Sequence, residues 1–207
     1  MTPYDFIINF LKENQITKVL DIGANTGEWA ENIINNVPSI QVLSIEANPH
    51  CESSLKNKNL NYKICCLSNT VKNVNFYLNS EFLSSTGSSY YKENTVHFTE
   101  NNFLQIQTNT LDNLLKNCPV TYEYLKLDTQ GSELDILNGG KEIIKMYKYI
   151  QIETANVNYN NNSPLKQKVH KFLTETGFIN PIKIEEHYHE NILGHEDYIY
   201  QNTRFIK

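Results

Sequence analysis

Arginine is nearly missing from this 207-residue chain: Arg204 stands alone against 17 lysines, and 18 basic residues against 23 acidic ones give a net charge of −5. With no broad positive surface to neutralise phosphates, nucleic acid is not expected as a partner. Long apolar runs are missing too, since none approaches the roughly 18 to 20 residues that cross a bilayer. The opening segment carries Asp5, Lys12 and Glu13 in place of a basic patch followed by an apolar signal core. Neither membrane attachment nor secretion is expected. Cysteine is scarce, and Cys51, Cys65, Cys66 and Cys118 form no CxxC pair and show no zinc-ligand spacing. They read as reduced, mostly buried thiols of a cytoplasmic protein.

What the chain does hold is 40% hydrophobic and 20% charged residues, enough to build one globular domain over residues 1–207. Thr2-Pro3 starts a helix within residues 1–16, with Phe6, Ile7, Phe10 and Leu11 on one face, expected to pack at the domain edge. Lys18–Ile22 reads as a buried strand, followed by the turn Gly23–Gly27 and a helix that stops before Pro38. The pattern repeats with a strand from Gln41 ending at Glu46 and a helix over about residues 49–57. Tyr62–Leu67 reads as a third strand. Residues 70–110, where Val74, Phe76 and Leu78 alternate, read as a β-rich insertion containing Ser84–Ser89 as a mobile surface loop. A parallel pattern resumes with Tyr124–Asp128, a turn at Thr129–Gly131, a helix from Ser132 and a strand over Lys148–Glu153. A helix opening at Ser163-Pro164 and closing at Gly177 precedes two last strands, Phe178–Ile184 and Asp197–Phe205.

The turn Asp21-Ile-Gly-Ala-Asn-Thr-Gly27 sets glycines between a buried strand and a helix, where a ligand can approach the backbone. Glu46 ends the next strand 23 residues after Gly23, the place where a carboxylate accepts hydrogen bonds from a ribose diol. A dinucleotide fingerprint wants a glycine where Asn25 stands, and the acidic Asp21 ahead of the turn is a poor neighbour for pyrophosphate. A cofactor without phosphate and with a cationic centre, S-adenosylmethionine (SAM), tolerates Asn25 and gains from nearby carboxylates.

The segments Val19-Leu-Asp-Ile-Gly-Ala-Asn-Thr-Gly27, Ile45-Glu-Ala-Asn-Pro49, Leu125-Lys-Leu-Asp-Thr-Gln-Gly-Ser-Glu-Leu134 and Ile150-Gln-Ile-Glu153 resemble the successive motifs of FkbM-type SAM-dependent methyltransferases. The resemblance runs from about residue 18 to 205. It implies a Rossmann-like class I methyltransferase domain, an α/β fold with a seven-stranded, mostly parallel sheet of order 3-2-1-4-5-7-6 whose last strand is antiparallel. The activity it implies is O-methylation of a sugar, glycan or natural product, a small-molecule or glycan acceptor. By the same carry-over Gly23, Asn25 and Gly27 border the methionine portion of the cofactor, Glu46 with Ala47 the ribose, and Leu67 and Ser68 the adenine. Gln130 departs from the family, which often has Glu there.

Asp128 and Gln130 fall at the carboxyl end of a central strand, the edge where open α/β sheets bind ligands, and should face the transferring methyl. Asp128 is the candidate base, or else a structural carboxylate that orients the cofactor. Glu133, in the first turn of its helix, reads as a capping residue. Glu153 ends the next strand, and either lines the acceptor pocket as a second catalytic carboxylate or joins Asp128 and Asn156 as oxygen ligands to magnesium. His187, His189 and His195 read as surface residues of the connection between the last two strands. Tyr90 and Tyr91 either stack on a sugar or pack a hairpin. Two other functions share this pattern: a nicotinamide-dependent oxidoreductase on a Rossmann-like sheet, and a noncatalytic cofactor-binding module.

Overall fold

The computed structural model describes residues 1–189 and 191–206. The first helix, α1 (Pro3–Glu13), begins in a capping box: the Thr2 hydroxyl accepts from the Asp5 N–H while the Asp5 carboxylate accepts from the Thr2 N–H. It buries Ile7 and Leu11, and the Phe10 ring meets Tyr149 edge-on at 4.9 Å. Instead of resting at an edge, its first turn reaches the mouth of the main cavity through Pro3 and Tyr4.

Alternation of strand β1 (Lys18–Ile22) with helix α2 (Glu28–Asn36), strand β2 (Gln41–Glu46), helix α3 (Glu52–Asn57) and strand β3 (Asn61–Ile64) builds the first half of a parallel sheet. Strand β4 (Asn73–Tyr77) and strand β5 (Phe103–Gln107) pair only with each other, antiparallel, outside that sheet. Helix α4 (Leu111–Leu115), strand β6 (Tyr124–Leu127), helix α5 (Glu133–Asn138), strand β7 (Tyr149–Ala155), helix α6 (Lys166–Glu175) and the hairpin of β8 (Phe178–His189) and β9 (Ile192–Asn202) complete the chain. The main sheet has the order β3-β2-β1-β6-β7-β9-β8 with β9 antiparallel to both neighbours. Counting only its own seven strands, this is the expected 3-2-1-4-5-7-6.

Side chains alternate across this sheet, and both faces are covered. Leu20, Ile22, Leu125, Leu127, Ile150 and Ile152 pack on one side with Leu137, Leu173 and Phe178, while Val19, Val42, Tyr124 and Ile199 pack on the other with α1 and α2. No helix among the described residues is long and apolar enough to cross a membrane.

Three local expectations need correction. The third strand stops at Ile64, because Cys65–Leu67 leave it to bridge toward Asn109. The β-rich insertion of residues 70–110 is present, but the loop expected inside it is not free; the only ladder there among the described residues is β4·β5. The segment between them is irregular, and the Asn25 and Asn48 amides donate to the carbonyls of Leu83, Ser84 and Ser85, so Ser84–Ser89 is tied to the strand ends instead of standing free. The penultimate strand runs on past Ile184 to His189, and the last one starts at Ile192, ahead of Asp197, and ends at Asn202, so His187, His189 and His195 lie within β8 and β9 and not in a connection.

Candidate active site

The carboxyl ends of β1, β2, β6 and β7, with β8 and β9 beside them, enclose a cavity of about 430 Å³, within the range of small-molecule sites. Gly23, Asn25, Glu46, Ala47 and Leu67 line one end; Asp128, Gln130, Glu153, His187 and Asp197 line the other.

At the first end the chain crosses from β1 to α2 through a turn with positive φ at Gly23 (83°), Asn25 (48°) and Gly27 (83°). Glu46, 7% exposed, fixes this turn: one carboxylate oxygen accepts the Asn25 N–H and the other the Asn48 N–H, both at 2.7 Å. Burial pushes its carboxyl up, against the pull of those N–H groups. The N–H groups of Gly23 and Ala24 donate to the Ile45 carbonyl, that of Thr26 to the Asn25 side chain, and that of Gly27 to the Ala24 carbonyl. Every turn amide is therefore already used within the protein, which leaves no cradle of free N–H groups for a pyrophosphate.

At the second end Gln130, held at φ 55°, donates through Nε2 to Asp128 Oδ1 at 3.1 Å and Glu153 Oε2 at 2.9 Å. Burial, reinforced by the charges of Asp128, Asp197 and Glu133, pushes the Glu153 carboxyl well above the usual carboxylate range. His187 Nε2 lies 2.8 Å from Asp197 Oδ2, and that hydrogen bond raises the imidazole. Burial, with His189 and His187 adjacent, lowers His195 to about 4, so its ring is neutral near pH 7. In the cavity floor Lys126, flanked in register by Asp21 on β1 and Gln151 on β7, lies 3.3 Å from Asp21 and 3.4 Å from Asp128. Burial alone would lower this ammonium; Asp21, Asp128 and Asp197 outweigh it and keep it charged.

Comparison with known proteins agrees with this geometry. The model of the methyltransferase FkbM domain matches residues 21–179. The chain belongs to the FkbM methyltransferase family. Among solved structures this FkbM chain is similar to magnesium protoporphyrin IX methyltransferase from Synechocystis PCC 6803 with bound SAM, at 10% identity over 97% of this chain and 78% of that one, with a TM-score of 0.52. It is also similar to the methyltransferase domain of bacterial CtHen1-C, at 11% identity over 96% of each chain and a TM-score of 0.52. At such identities the likeness is one of fold, and the fold is that of the class I methyltransferases. No curated protein matches the chain.

In this FkbM chain the residues singled out by sequence separate into two groups. Gly23, Asn25, Glu46, Ala47, Leu67, Asp128, Gln130 and Glu153 meet around the cavity. Asp21, Gly27 and Ser68 are not among its lining residues. Asp21, fully buried, faces Lys126; a Cβ on Gly27 would strike the side chains of Leu60 and Leu55; and Ser68 Oγ lies 3.2 Å from the Tyr90 hydroxyl. Gly23 is also constrained by protein, since an added Cβ would fall 1.7 Å from the Asp128 carbonyl oxygen. Asn156 turns away from Asp128 and Glu153 and donates to Glu196, so the three do not converge as magnesium ligands. Glu133 accepts the N–H groups of Thr129 and Gly131, both ahead of α5, so it braces the turn after β6 instead of capping the helix. Tyr90 and Tyr91 both donate to Asp135 and so pin the irregular segment to α5.

Sequence reasoning missed Lys126 and Asp197. Lys126 had a signal, a lone lysine between leucines in a strand otherwise buried throughout. Asp197 had none beyond its place two residues after His195.

Proposed function

We propose that the chain is a SAM-dependent O-methyltransferase acting on a hydroxyl of a sugar, glycan or natural product. The observation that carries this reading is one cavity with an anchored ribose-type carboxylate, Glu46, at one end and the linked pair Asp128 and Glu153 at the other. The residues present suit the cofactor. Glu46 has both oxygens fixed by backbone amides and retains lone pairs for a diol. Ala47 borders the ribose beside Glu46, Leu67 gives an apolar wall for the adenine, Gly23 and Asn25 border the methionine portion, and Asp128 and Gln130 stand where a sulfonium is favoured by negative charge. Asp21, Gly27 and Ser68 support these groups from behind. The turn without free amides argues against the nicotinamide alternative.

When bound, SAM supplies an electrophilic methyl whose transfer to oxygen breaks its bond to sulfur. The chain's own residues must then align the acceptor oxygen and remove its proton. Asp128 is assigned as the proton acceptor. It is the more open of the two carboxylates, and Lys126 and Gln130 fix its position. Glu153, a further catalytic carboxylate of the acceptor end, orients the hydroxyl, and Gln130 joins the two.

Calorimetry with SAM, S-adenosylhomocysteine and NAD, followed by transfer of labelled methyl to a panel of sugars and phenols, tests the reading. Binding of the first two and labelled ether on a hydroxyl acceptor are expected. Binding of NAD alone would overturn it, and cofactor binding with no transfer to any acceptor would favour the noncatalytic module.

A further inference from the structure

The register of the last three strands gathers groups that sequence alone keeps apart. Glu153 on β7 lies opposite Asp197 on β9, and the hairpin folds His187 of β8 back onto Asp197. One ligand atom from each of Glu153, His187 and Asp197 lies within 4.8 Å of the other two, and all three side chains line the cavity. Ligands about 2.1 Å from a shared ion stand about 3 to 4 Å apart, so only a small contraction separates this arrangement from a coordination sphere.

Two further observations point to a ligand. Glu153 is 9% exposed, yet among the described residues its Oε1 accepts no hydrogen bond; only Oε2 is engaged, by Gln130. A carboxylate buried this far is ordinarily paired or bound to a metal. The cavity offers it no free cation either, because Lys126, the one lysine or arginine among its described lining residues, is committed to Asp21 and Asp128.

We propose that Glu153, His187 and Asp197 form a binding site for a divalent first-row transition cation of the manganese class. One imidazole and two carboxylates make a mixed nitrogen and oxygen set that suits manganese or iron better than magnesium, which prefers oxygen throughout. Gln130, donating to the far oxygen of Glu153, supplies the outer contact that orients a ligating carboxylate. The ion takes all three groups deprotonated, so the proton shared by His187 and Asp197 and the proton that burial favours on Glu153 leave to solvent. Three protein ligands leave open positions toward the cavity. Resting on the methyltransferase reading, these positions take the acceptor oxygen and make its proton easier for Asp128 to remove.

The test uses the full chain, stripped with a chelator and titrated with manganese(II) alone, followed by loss of the free-ion electron paramagnetic resonance signal and by calorimetry. One ion per chain is expected, with affinity at least tenfold weaker in both His187→Gln and Asp197→Asn and unchanged in His189→Gln, whose ring lines the same cavity outside the triad. S-adenosylhomocysteine binding by each variant shows that it is folded; if one variant fails this, the other decides. No manganese binding by the wild type, or binding that survives in the folded variants, overturns the site. A wild type that binds S-adenosylhomocysteine without manganese sinks the metal and spares the methyltransferase reading. One that binds manganese but neither SAM nor its product does the reverse.

Discussion

The two ends of the cavity are built on opposite plans. Around Gly23, Asn25 and Glu46 each of these polar groups has a partner within the protein: the carboxylate holds two amides, the amides close the turn, and the Asn25 and Asn48 side chains hold residues 83–85. Around Asp128, Glu153 and Asp197 three carboxylates share one committed lysine and one half-buried histidine. The first end is finished without a ligand, as suits a site that binds one fixed cofactor. At the second, like charges sit together and the charge balance is left to what binds, as in sites that do chemistry.

The contrast breaks most severely at Gly23. Any side chain there meets the Asp128 carbonyl oxygen at 1.7 Å on a backbone already at φ 83°, so the ends of β1 and β6 must separate. Gly23→Ala is expected to lose on the order of 4 kcal/mol or more, read as failure to fold or a large fall in Tm. A variant that melts within a few degrees of wild type would show that the two ends are independent. Gly27→Ala, whose obstacles are the side-chain tips of Leu60 and Leu55, is expected to fall less.

Next in size is Asp128→Asn, which alters the second end alone. Methyl transfer to a verified acceptor should drop about a hundredfold, while calorimetry finds S-adenosylhomocysteine bound as before. Near-normal turnover would remove Asp128 as the base. Glu46→Gln is the matching change at the first end. It keeps the size but points an amide N–H at an N–H of Asn25 or Asn48, so both turn and ribose contact suffer. Affinity for S-adenosylhomocysteine is expected to fall about ten- to thirtyfold, roughly 1.5 to 2 kcal/mol, with the rate at saturating cofactor little changed. An unaltered dissociation constant would place the ribose elsewhere.

The first end was largely legible in the sequence, and for the same physical reason that it is self-contained. A turn such as Asp21–Gly27 and a strand end such as Glu46 are local, and their spacing along the chain carries their geometry. Even so, spacing could not tell that Gly27 serves Leu55 and Leu60, or that Ser68 faces Tyr90. The second end depends on contacts across strands. His187 and Asp197 meet because β8 and β9 continue well beyond the segments whose alternation marked them as strands, through a polar stretch that reads as a loop. Likewise nothing local says that Asn25 and Asn48 reach out to residues 83–85.

The smallest expected effect sharpens the comparison within a single strand. Asp197 faces the cavity, whereas its neighbour Glu196 points to the opposite face of β9, where Lys166, the Asn156 amide and the Tyr198 hydroxyl all donate to it. Burial alone would raise Glu196, but these donors override it and hold the carboxyl at about 2, against 4.5 for an unperturbed glutamate. A carboxylate depressed in the folded chain gives stability that is complete above about pH 4.5 and is lost as pH falls toward 2. Glu196→Gln should therefore cost about 1 to 2 kcal/mol at pH 7, some 3 to 6 °C in Tm, with the gap from wild type closing between pH 4.5 and 2. Asp197→Asn weakens the His187 contact but also removes a charge that faces Glu153, so its Tm at pH 7 should fall by less than that of Glu196→Gln. A Glu196→Gln gap that stayed constant down to pH 2.5 would show that the lost stability comes from packing. Equal losses from the two neighbours would show that the cavity carboxylates are as well paired as those outside it, and the contrast between the two plans would fail.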